Sequence, residues 1–149
     1  MEEKSMRFVK GGIAGIIAGL VFGMMMQMMA APDGKPMMAM VAQVVRSESL
    51  VVGWLYHLFN SAVIGIIFVV LLDNRINGYG SNVFFGILYG VAWWVLGAMI
   101  LMPLFLGMPP FAALMMSSML PVALGSLMGH ILYGVILSIG YMLLKRGSQ

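Results

Sequence analysis

The chain has 149 residues, of which 62% are hydrophobic and only 9% charged, where ordinary globular chains carry about 25% charged residues. A mean hydropathy of +1.01 excludes a water-facing surface over most of the fold. The absence of cysteine excludes disulfides, thiolate metal sites, iron–sulfur clusters and cysteine nucleophiles. The net charge of +3 lies in short pieces beside apolar stretches, as at the flanks of membrane helices, and gives no basis for binding nucleic acid.

Four continuous apolar stretches, at about 9–29, 51–72, 83–102 and 122–144, each approach the ~20 residues that a spanning helix needs. None alternates in the two-residue rhythm of a barrel strand. The expected fold is therefore all-α, a membrane four-helix bundle forming a single transmembrane domain over 1–149. The first stretch has no small-residue cleavage site after a short apolar core, so it reads as a retained helix and not a signal peptide. Lys4, Arg7, Lys10, Arg75, Lys145 and Arg146 fall on one side of the expected membrane, against Lys35 and Arg46 on the other. That asymmetry predicts a multi-pass protein of the cell membrane with both termini cytoplasmic. The two outer connections contain apolar pieces too short to span, 36–45 and 110–119, each opening with proline. Both are expected to be short helices that cap the bundle on the outer side.

The chain also repeats itself. Gly53, His57, Ser61 and Gly65 recur at four-residue spacing in the second stretch, and Ser126, His130, Gly134 and Ser138 do so in the fourth. Gly15 and Gly19 of the first stretch match Gly86 and Gly90 of the third. The glycines are offset by 71 residues and the histidines by 73, which agree to within a two-residue insertion. Two tandem copies of helix, short outer helix and helix are expected, at about 9–72 and 83–144. Their pseudo-twofold axis would run along the membrane normal. Small residues at this spacing let backbones approach, so Gly15, Gly19, Ser61, Gly86, Gly90 and Gly134 are expected at helix–helix contacts.

No acidic residue lies within the four stretches, which disfavours an ion-coupled transporter. The polar groups at membrane depth include Gln27, His57, Asn60, Ser61, Ser126, His130 and Ser138, with Tyr133 one turn from His130. His57 and His130 are expected at similar depth, facing the bundle interior, with Gln27 as the nearest hydrogen-bonding neighbour. Three readings of the pair stand open. The imidazoles are struts satisfied by carbonyls, amides or each other; or they join thioethers in a Cu(I) site; or they clamp the iron of a haem b between them. Of eighteen methionines, fifteen fall in the outer half or outer loops. Met24 and Met28 are the candidate soft ligands. Trp93 and Trp94 are candidates to pack on a porphyrin, with Lys35 or Arg46 at its propionates.

Trp54-x-x-His57-Leu58, Tyr89-Gly90-x-x-x-Trp94, Met102-Pro103-x-x-Leu106-Gly107 and Gly129-His130-x-x-Tyr133-Gly134 together resemble an uncharacterised family of small four-helix membrane proteins of archaea and bacteria. The resemblance covers nearly the whole chain and implies the four-span fold without an activity. Some members carry a histidine-kinase label, yet no glycine-rich nucleotide loop follows a strand here, so kinase activity is not expected. The sequence thus predicts a non-enzymatic membrane protein with an outward-side His/Met-lined pocket for a small ligand, soft metal or haem. It would act as an accessory subunit of a larger membrane complex or as a homo-oligomer. The alternative is a purely structural or assembly protein.

Overall fold

The computed structural model of the chain describes residues 2–147, with side chains from residue 5 onward. Lys4, counted in the charge asymmetry, lies outside the described side chains. Glu2–Met28 forms α1, Met37–Val44 a short α2, Leu50–Leu72 α3 and Tyr79–Trp93 α4. The last continues without a break into a π-helical segment, Trp94–Leu101, and one further α turn, α5 (Met102–Phe105). A turn of α6 (Ala112–Met115) and a 3-10 turn (Ser117–Met119) lead into α7, Leu120–Arg146. No strand occurs among the described residues. Four helical stretches are long and apolar enough to cross a membrane: Ser5–Met28, Leu50–Leu72, Tyr79–Phe105 and Ser117–Arg146. The first connection holds one short helix, as expected. The second is broken into α6 and the 3-10 turn.

Packing inverts the pattern of a soluble helix. On α1 the buried residues are Gly11, Gly12, Ala14, Gly15, Ala18, Gly19, Phe22, Gly23 and Met26 among the described side chains, while Ile13, Ile16, Ile17, Leu20 and Met24 are exposed. From Gly11 to Gly19 the inward stripe is made of small residues at helical spacing, and the bulky apolar side chains of that stretch point out. Shape is what joins these helices, because lipid tails compete equally well for apolar contact. A Cβ on Gly15 would strike the carbonyl of Ser61, and one on Gly65 the carbonyl of Gly11, so α1 and α3 meet backbone to backbone. The contact of α4 with α7 is of the same kind: a Cβ on Gly90 would strike the His130 carbonyl, and one on Gly134 the Gly86 carbonyl. All six positions expected at helix contacts lie in these two seams or beside them.

Helix α1 also packs along α7, whereas the backbones of α3 and α4 do not pack on one another. Side chains span that gap near its middle, where the Tyr89 hydroxyl donates to the Ile64 carbonyl at 2.6 Å and Phe68 lies edge-on to Tyr89 at 5.1 Å. At the end carrying the termini, the buried Asp73 carboxylate closes the bundle. It accepts from Arg7 Nη1 at 2.8 Å, Tyr141 hydroxyl at 2.8 Å and Lys145 Nζ at 2.6 Å, tying α1 and α7 to the end of α3. Burial alone raises this carboxyl's pKa, but the bonds from Lys145, Tyr141 and Arg7 outweigh it and hold the pKa below its ordinary value.

At the opposite end, α2 stops on a Schellman motif. Arg46 N–H reaches the Gln43 carbonyl and Ser47 N–H the Ala42 carbonyl, with Arg46 in the left-handed region at φ 57°. Glycine is the usual residue at that position.

Candidate ligand cleft

The gap between α3 and the third span widens toward the α2 end into a cavity of about 270 Å³. Its cause is visible in the sequence as Pro103. Proline has no N–H to offer the carbonyl four residues earlier, and the freed Met99 carbonyl accepts instead from Phe111 N–H, at 2.7 Å, in the returning loop. The helix ahead of Pro103 widens to π geometry, as helices often do where one turn must absorb a local mismatch. Trp94 fixes the widened segment to α7 by donating its indole N–H to the Ala123 carbonyl at 3.1 Å. Gly97, Ala98 and Leu101 of this segment then form one wall, together with Trp93 and Met102. Residues Tyr56, His57, Asn60, Ser61 and Ile64 of α3 face them. Phe22 and Met26 of α1 and Ser126, His130 and Tyr133 of α7 make the back, and Met37 and Val41 of α2 the roof.

The two histidines turn inward, as expected, and each is anchored. His57 Nε2 lies 2.8 Å from the Gly19 carbonyl, so this nitrogen carries the proton and ties α3 to α1. His130 Nδ1 lies 2.8 Å from the Ser126 carbonyl of its own helix. A carbonyl only accepts, so the neutral rings hold opposite tautomers, leaving His57 Nδ1 and His130 Nε2 as acceptors. Phe22 packs edge-on against both imidazoles, with centroids 5.6 Å from His57 and 4.8 Å from His130. Gly129 makes room for it, since a Cβ there would strike the Phe22 ring. Tyr133 lines the cavity while its hydroxyl is spent on the Ser61 carbonyl at 2.7 Å.

Other candidates are placed differently from the expectation. Gln27 does not bond a histidine: its Oε1 accepts from Trp54 Nε1–H at 3.3 Å, one turn away on α3. Met24 and Met28 point outward, 54% and 87% exposed, because α1 commits its inward stripe to small residues. Neither lines the cavity, whereas Met26, Met37 and Met102 do. Among the described residues no group of three or more His, Cys, Asp or Glu could hold a metal ion. The Asn60 side chain makes no hydrogen bond within the fold, although it lines an apolar cavity. Sequence reasoning missed Phe22, Tyr56 and the π segment. Pro103 was the available signal for the last. Compared with known proteins, the chain matches no family model, no curated protein and no solved structure.

Proposed function

We propose that this chain is a non-enzymatic membrane protein whose cleft binds a lipid-soluble amphiphile, an apolar chain with a carbonyl or hydroxyl head, entering sideways from the bilayer. The observation that carries this reading is the unpartnered Asn60 amide in an apolar cleft between two helices that do not close on each other. At membrane depth an unsatisfied amide costs several kcal/mol, and a ligand head bonded to it removes that cost. His130 Nε2 is a second acceptor on the same cavity. Catalysis finds little support. Ser126 Oγ lies 3.3 Å from His130 Nδ1, but that nitrogen already donates to the Ser126 carbonyl and cannot take the hydroxyl's proton. Two carbonyl-bound ring nitrogens, with Phe22 against both rings, favour histidines acting as struts over histidines clamping a haem iron.

The same reading takes the chain as two tandem copies, with α1 and α3 matching the third span and α7. Supporting it, Gly15 meets the Ser61 carbonyl and Gly65 as Gly86 meets the Gly134 carbonyl and Ser138. It sets the termini in the cytoplasm of the cell membrane, on the charge asymmetry alone.

A long-chain alcohol carrying a photoactivatable diazirine tests the cleft in membranes containing the full chain. Crosslinks should concentrate on α3 and on the segment from Trp93 to Met102, and Asn60→Leu should reduce them severalfold. Labelling spread evenly over outward residues such as Ile13, Ile17 and Leu55 would overturn the proposal.

A further inference from the structure

Beside the cleft, at the α2 end, lies a second and smaller cavity of about 40 Å³. Its lining is unusual in one respect: Met37, Met40, Met99, Met102, Met108 and Met119 all contribute. They come from α2, the π segment, α5, the following loop and the 3-10 turn, so no single helix face accounts for the grouping. Methionine is a common gap-filler, and filler would be spread through the core. At the termini end, however, the buried core is built from Phe68, Val69, Ile76, Leu137 and Tyr141, and Met142 is the one buried methionine there among the described residues.

We infer that this methionine cage is a binding site for a soft monovalent metal ion, Cu(I) or its chemical analogue Ag(I). Thioether sulfur is a neutral, polarisable donor that suits Cu(I) and offers little to hard divalent ions. The cavity has room for an ion and not for an organic molecule. Its lining holds no carboxylate or imidazole, and Ser126 is its only polar residue, so a doubly charged ion entering it would find no compensating charge and at most one side-chain oxygen. Three of the sulfur-bearing side chains, Met37, Met99 and Met119, are 6%, 2% and 7% exposed and are already ordered by packing. The loop that brings Met108 is held by the bond of Phe111 N–H to the Met99 carbonyl. These are not the Met24 and Met28 that the sequence pointed to. Met37, Met102 and Ser126 line both cavities, but the inference does not rest on the amphiphile reading, and its readout is independent of lipid labelling.

The test is anaerobic competition for Cu(I) between the full chain in detergent micelles and a chromophoric Cu(I) chelator, with X-ray absorption on the loaded protein. One Cu(I) per chain with a sulfur-only shell is expected. Met99→Leu and Met119→Leu keep volume and hydrophobicity, changes that cores tolerate well, and each should weaken binding on the order of tenfold or more. Met24→Leu with Met28→Leu should leave it unchanged. Failure of the wild-type chain to compete, nitrogen ligands in the shell, or undiminished affinity in both cage variants would overturn the inference. Should one cage variant fail to fold, the wild-type shell and the other variant still decide.

Discussion

Gly90→Ala isolates the shape-based packing of the bundle in a single methyl group. The added Cβ would strike the His130 carbonyl oxygen and stand 2.8 Å from its carbon and 3.0 Å from Ile131 Cα. All three atoms are backbone, so no side chain can rotate away, and carbon atoms prefer separations of about 3.5–4.0 Å. Helices α4 and α7 must therefore part by about 0.5–1 Å, a gap that forfeits a quarter to a half of each contact's attraction along the seam. Overpacking of this kind costs about 1–3 kcal/mol, and the upper part of that range applies because the obstacle cannot move. Gly80→Ala on the same helix is the control: a Cβ there meets nothing within 4 Å, and alanine in place of a helical glycine gains about 0.5–1 kcal/mol. Reversible unfolding in mixed micelles, followed by helical circular dichroism, should place Gly90→Ala below Gly80→Ala by about 2 kcal/mol or more. If Gly90→Ala proves as stable as the wild-type chain, the backbone-to-backbone seam is not what holds α4 on α7.

Three further outcomes follow from local chemistry. Arg46→Gly should stabilise the chain by about 1 kcal/mol by relieving the left-handed backbone at φ 57°, and Arg46→Val should destabilise it; equal unfolding midpoints would contradict the strain. Because the folded-state pKa of Asp73 is lowered from 3.8, its contribution is present above that value and is lost as pH falls through the folded value. Asp73→Asn should remove this acid-side loss of stability, and an unaltered acid limb would show that the carboxylate is not the latch. The chain has no cysteine, so single cysteines at Asn74 and Asp33 report sidedness. A membrane-impermeant maleimide added to intact cells should label Asp33→Cys and spare Asn74→Cys, and the reverse would invert the topology.

Length and apolarity sufficed to read the four long helices, and glycine spacing sufficed for the seams, because both follow from requirements local to one helix. The cavity did not follow in the same way. Its wall depends on how one proline shifts the hydrogen bonding of the preceding turns, and a hydropathy pattern carries no sign of that. The histidines were placed inward correctly from the stripe they share with small residues. Their partners were not legible: a backbone carbonyl on a neighbouring helix is present at every position, so composition cannot choose Gly19 over the side chain of Gln27. The methionines misled for a related reason. Met24 and Met28 are neighbours in sequence on a helix whose inward face is already taken, while the six that gather at the second cavity are scattered over 83 positions, from Met37 to Met119, and meet only through the fold.

On the two-copy reading, the cleft has a further physical origin. A pseudo-twofold makes the contact of α1 with α7 equivalent to that of the third span with α3, yet the first is closed and the second is not. The 71-residue offset pairs Ala14, Ala18 and Phe22 of α1 with Phe85, Tyr89 and Trp93 of the third span. Ala14 and Ala18 are buried, and a Cβ on Gly140 of α7 would sit 3.6 Å from that of Ala14, in ordinary contact. Aromatic rings at the matching positions cannot permit such an approach. Tyr89 instead props α3 away at the length of its side chain, with its hydroxyl on the Ile64 carbonyl and its ring against Phe68, and Trp93 continues the row 6.2 Å further on. On that reading, small residues in one copy seal an interface that bulky ones in the other hold open, so the cavity arises where the two copies differ, with Asn60 among the polar groups facing it.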